Sequence, residues 1–129
     1  MDLKFYQFEW LKYSDFWQVK YNLKEAIKIC NKLNRHFKIG AKFVFRNNKI
    51  GQAYYESRII DLPKKDIPLA MIIHEVGHLL SVKKYGYNKG KGHTKRLAKV
   101  NKTIFNYAIK YLPITTLLGI NNKLLLEHK

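Results

Sequence analysis

Apolar positions change their period along the chain, and each change marks a different element. Asn22 followed by Glu25 is a capping-box pattern that predicts a helix running to about Phe37. Leu23, Ile27, Cys30, Leu33 and Phe37 fall on one side of it, and Lys24, Lys28, Asn31 and Arg35 on the other. From Ala41 to Leu62 the period becomes two. Segments 42–46, 50–55 and 58–62 read as a three-stranded meander, with Asn47-Asn48 as a turn and Pro63 as its end. Asp66 is the predicted N-cap of the next helix, with Pro68 in its first turn and an end near Val82. Residues 85–92 read as a loop with three glycines and several lysines. A last long helix is predicted from His93 or Thr94 to Leu112, stopped by Pro113, with a short C-terminal helix after it.

The first 20 residues are rich in aromatics (Phe5, Tyr6, Phe8, Trp10, Tyr13, Phe16, Trp17) and read as a short helix or arm packed on the body. Neither repeats nor a linker interrupt the 129 residues, so residues 1–129 are read as one domain, with a core unit over 41–112. The order of helix, meander, helix, loop and helix predicts an α+β fold.

Composition narrows the setting. Cys30 is the only cysteine, which rules out an internal disulfide and thiolate metal clusters; on its apolar helix face it reads as a small buried hydrophobe. No apolar run reaches the roughly 20 residues of a membrane span. The start, Met1-Asp2-Leu3-Lys4, lacks a basic region leading into an apolar one, so no secretory signal is expected and an intracellular setting is. With 25 basic and 9 acidic residues the net charge is +16, which attracts polyanions, nucleic acid first among them.

The chemistry concentrates at His74-Glu75-Val76-Gly77-His78. Residues four apart on a helix stand about 40° apart on one face, so two imidazoles can reach one metal ion. Glu75 lies beside them, suited to deprotonate a water held by the metal. Ile67, Leu69, Ala70, Met71, Ile72, Ile73, Val76, Leu79, Leu80 and Val82 make this helix apolar almost all round. It should therefore be buried, and two buried histidines with a carboxylate need something to satisfy them.

A catalytic zinc takes three protein ligands and keeps one position open. Between Glu75 and Glu127 the chain has no Asp or Glu, so a carboxylate third ligand would have to be Glu127 returning from the tail. The metzincin spacing would need Gly at 81 and His at 84, where Ser81 and Lys84 stand. His93 and His128 are the remaining downstream histidines, and His128 is near the chain end. His93 continues the stripe Leu97, Val100, Ile104, Tyr107 and Tyr111, which should face the core; Lys95, Lys99, Lys102, Asn106 and Lys110 make the opposite face. His36, at the end of a basic helix, reads as surface. The predicted site is one Zn²⁺ per chain on His74, His78 and His93, with Glu75 as catalytic base. A three-histidine open site also admits cobalt or manganese.

His74-Glu75-x-x-His78 followed by Gly92-His93 resembles the SprT-like zincins, the group that includes the Spartan proteases. Ile50-Gly51-Gln52-Ala53 leading to Ile59-Ile60-Asp61-Leu62 is similar to that family's strands before the zinc helix, and the resemblance spans 41–104. Thr94 and Leu97 stand where the family commonly has glycine and an aromatic residue. The resemblance implies a minimal zincin fold and a metallopeptidase acting on protein bound to DNA.

From Lys83 to Lys102 there are eight Lys/Arg and no acid. Lys83, Lys84, Lys89 and Lys91 are expected to rim the cleft, and Lys95, Lys99 and Lys102 to point away from it; together they are the candidate nucleic-acid contacts. A strand beside the zinc helix is expected to bind extended peptide, and Tyr85 or Tyr87 is a candidate oxyanion donor. Two other functions fit the same residues. One is a basic nucleic-acid-binding protein with a structural or relic zinc site, and the other a processing or toxin-like metalloprotease unrelated to nucleic acid.

Overall fold

The computed structural model describes residues 16–112. The aromatic arm up to residue 15, the helix expected after Pro113, Glu127 and His128 lie outside the described residues. The fold is mixed α+β, as the periodicity predicts. Its elements are β1 (Lys20–Tyr21), α1 (Leu23–Phe37), β2 (Lys42–Arg46), β3 (Gln52–Tyr54), β4 (Ile59–Pro63), β5 (Ile67–Pro68), α2 (Leu69–Tyr85), a single turn α3 (Tyr87–Gly90) and α4 (Lys95–Tyr111). Among the described residues no helix is long and apolar enough to cross a membrane.

Helix α1 begins as its sequence dictates: the Asn22 side chain accepts from the Glu25 N–H at 2.8 Å, and the Glu25 carboxylate accepts from the Asn22 N–H at 3.1 Å. Its buried face is Ala26, Ile29, Cys30 and Leu33, a rotation from the predicted stripe that leaves Leu23 and Ile27 largely exposed. The reason is the neighbour: α1 packs on α2 and β2, and that surface selects the face carrying Cys30 and Leu33.

The three strands do not form a meander. Their order is β2-β4-β3, with β2 parallel and β3 antiparallel to β4. Ile60, Asp61, Leu62 and Pro63 of β4 are all buried, and a strand buried on both faces belongs in the middle of a sheet. Segment 47–51 is therefore a crossover past β4 to its far side, and the Asn47-Asn48 turn does not close a hairpin. Arg46 donates to the buried Asp61 carboxylate at 3.2 Å, which accommodates that acid in the central strand.

Nor does Asp66 cap α2. Ile67 and Pro68 pair with Tyr21 and Lys20, which holds them extended, so the helix starts at Leu69 with Pro68 as its N-cap. Pro68 offers no side-chain cap, and the Leu69 N–H donates to the Val19 carbonyl at 2.8 Å instead. The helix continues three residues past the predicted end at Val82, to Tyr85. Helix α4 packs along α2, burying Leu97, Val100, Asn101, Ile104, Phe105, Ala108 and Ile109. Tyr107 is half-buried and Tyr111 exposed, so the predicted inward stripe holds only as far as Ile104. Phe16, the described end of the aromatic arm, packs edge-on to Phe105 at 4.6 Å.

Candidate metal centre

Helix α2 is buried along most of its length, and the burial includes its ionisable groups: His74 is 2 % exposed, Glu75 7 % and His78 8 %. Such groups are costly in an apolar setting without compensation. The third histidine arrives from a loop that α2 itself positions. Ser81 donates to the Gly90 carbonyl at 2.9 Å, and a Cβ at Gly90 would come within 2.4 Å of the Ser81 carbonyl oxygen, so only glycine lets the loop lie this close. Gly92 then turns the chain with φ of 78° and presents His93. Thr94 starts α4 immediately afterwards, its hydroxyl accepting from the Leu97 N–H at 3.3 Å. Thr94 thus has a local purpose as the N-cap of α4.

These elements bring His74, His78 and His93 together. The Nε2 of His74 lies 3.1 Å from that of His78 and 3.2 Å from that of His93, and the ligand atoms of all three lie within 4.8 Å of one another. Metal–nitrogen bonds of about 2.0–2.1 Å at tetrahedral angles separate ligand atoms by roughly 3.3 Å, so the spacing fits one ion. At these separations the facing ring nitrogens can share either a hydrogen or a common cation, according to their tautomers. Burial first, then the charges His74 and His93 can carry, push His78 down to about 3, keeping it neutral and able to donate its lone pair at ordinary pH. The described residues can thus hold a metal ion.

Glu75 follows His74 on α2, with Gly51 above it: a Cβ at Gly51 would approach the Glu75 Cγ to 3.0 Å. This brings the start of β3 to the site. Gly77 has a different role. A Cβ there would stand 1.7 Å from Oδ1 of Asn101, so glycine at this position lets α4 close onto α2. The x-x positions of the motif thus carry a packing requirement that no helical wheel reveals.

The tyrosine that reaches the histidines is neither Tyr85 nor Tyr87. It is Tyr55, in the hairpin between β3 and β4, whose Oη lies 3.0 Å from Nδ1 of His78 and accepts from the Gly92 N–H at 3.1 Å. Tyr87 packs edge-on to Tyr55 and has Lys91 over its ring, while Tyr85 carries Lys84 and Arg96. Tyr55 was legible only as an end-of-strand aromatic, since its partners are 23 and 37 residues away. Burial raises its phenol, a rise that the Gly92 hydrogen bond partly offsets.

Lys83, Lys84, Lys89, Lys91, Lys95, Lys99 and Lys102 are all exposed, around the loop and along the outer side of α4. Lys83 donates to the Lys38 carbonyl at the end of α1. His36 is on the surface, as expected, stacked on Tyr107 with ring centroids 4.0 Å apart. No protein-family model, curated protein or solved structure matches the chain.

Proposed function

We propose that the protein is a zinc-dependent endopeptidase of minimal, SprT-like zincin form, carrying one zinc ion on His74, His78 and His93. The observation that carries this reading is the convergence of three Nε2 atoms, two from α2 and one from its following loop, with Glu75 on the same helix. Three nitrogen ligands, with no fourth His, Cys, Asp or Glu grouped with them among the described residues, suit a catalytic zinc better than a structural one. When bound, zinc supplies a Lewis acid that polarises the scissile carbonyl and acidifies water. Glu75 takes the proton as water attacks and returns it to the leaving amine. Among the described residues β3 pairs only with β4, so its outer edge is open to an extended peptide beside Glu75.

The exposed cations support a role on nucleoprotein. No acid stands between Glu75 and Leu112, and phosphate contacts through the loop and α4 would leave the open edge of β3 to the protein substrate. The same lysines favour a second reading, a nucleic-acid-binding protein whose metal is structural or relic. Glu75→Gln separates the two. With zinc content and fold retained, peptide hydrolysis should fall by about 10²–10⁴-fold. Undiminished hydrolysis in that variant would remove Glu75 as the base, and no hydrolysis by the zinc-loaded wild type on DNA-bound or free protein would favour the second reading.

A further inference from the structure

Each ligand histidine has two ring nitrogens, and what the second one touches decides which tautomer the ring adopts. In neutral imidazole one nitrogen carries hydrogen and the other a lone pair. His78 turns Nε2 toward His74 at 3.1 Å and Nδ1 toward the Tyr55 hydroxyl at 3.0 Å. For Nε2 to ligate a cation, the hydrogen must sit on Nδ1 and be donated to Tyr55 Oη. That oxygen also receives the Gly92 N–H at 3.1 Å. A phenol oxygen has two lone pairs, so both donors can be accepted together.

We propose that Tyr55 is the positioning residue of the metal centre, its hydroxyl oxygen holding His78 as the Nδ1–H tautomer while tying it to the Gly92–His93 loop. The proposal rests on the three-histidine metal reading and adds to it a group outside the motif. One atom on the β3–β4 hairpin thereby links the second ligand, on α2, to the backbone just before the third. The ring is itself held in place. It packs edge-on against His78 at 6.0 Å and against Tyr87 at 5.7 Å, contacts that orient the hydroxyl toward the site. A metal-bound histidine whose other nitrogen has such an acceptor keeps its orientation and is a better ligand.

A tyrosine present only to fill space would be replaced by phenylalanine at no cost to the metal, and this separates the two roles. Zinc affinity is measured by chelator competition on wild type and Tyr55→Phe, with the visible spectrum of the Co²⁺-substituted proteins recorded alongside. Tyr55→Phe keeps both ring contacts, and it should bind zinc about 10–100-fold more weakly and shift the Co²⁺ bands. Equal affinity and an unchanged spectrum would overturn the proposal while leaving the three-histidine site standing. A wild type that takes up no zinc would overturn the site reading and this proposal together. Histidine ¹⁵N shifts of the zinc-loaded wild type give a check that needs no variant: Nδ1 of His78 should carry the hydrogen, and ligation through Nδ1 would overturn the assignment.

Discussion

Helices α2 and α4 are each 17 residues long and pack side by side, yet they handle polar side chains in opposite ways. Helix α4 puts its lysines outside, where Lys95, Lys99, Lys102 and Lys110 meet water, and lines its inner side with Leu97, Val100, Ile104 and Phe105. Solvation satisfies those charges without further structure. Helix α2 has no polar side to turn outward until its last turn, and it buries His74, Glu75 and His78 among leucine, isoleucine and valine. At the histidines other groups come to meet them: His93 from the following loop and Tyr55 from the β3–β4 hairpin. A polar residue on an amphipathic helix thus says little about function, whereas the same residue inside an apolar helix demands a chemical partner.

The contrast is sharpest at two neighbouring positions. His93→Ala removes one of three converging nitrogens and should weaken zinc binding by more than the roughly 10–100-fold that an outer hydrogen-bond partner is worth. Lys95→Ala, two residues on, should leave zinc affinity unchanged; metal analysis per chain after dialysis reads both. Gly77→Ala probes the seam between the helices. The added methyl meets Asn101, and overpacking of this kind should cost about 1–3 kcal/mol in chemical denaturation, with loosening of α4 from α2.

A pH titration of the metal-free protein probes the buried side of the contrast. Because His78 is held at about 3 in the fold against 6.5 when unfolded, the unfolded chain binds the extra proton between those values. The folded state is therefore at full strength above pH 6.5 and weakens on acidification, by up to about 1.4 kcal/mol per pH unit from this group. His78→Gln should flatten that dependence. The smallest effect is expected from the lysines of α4. Replacing Lys95, Lys99 and Lys102 with serine should change stability by about 0.5 kcal/mol or less at each site. If duplex DNA is bound there, the salt dependence of its affinity should flatten by about 0.9 in log–log slope for each phosphate that is no longer neutralised.

Much of this was written along the chain. The capping box at Asn22, the change to period two after Ala41, the buried character of the His74–His78 helix and the lysine side of the last helix all follow from local pattern. Local pattern is reliable there because each depends on residues within a turn or two of one another. His93 also came from the sequence, by elimination among so few downstream ligands. Strand order did not, because period two reports which residues share a face and not which strands are neighbours. The burial of β4 on both faces made it central and turned a predicted meander into a mixed sheet. Pairing of β1 with β5 moved the start of α2 past Asp66. Tyr55, Asn101 against Gly77, and Ser81 against Gly90 were decided by packing alone. A hydrogen bond across 23 residues, or a helix seam that admits no Cβ, leaves no periodic trace, since it depends on where two separately specified elements meet.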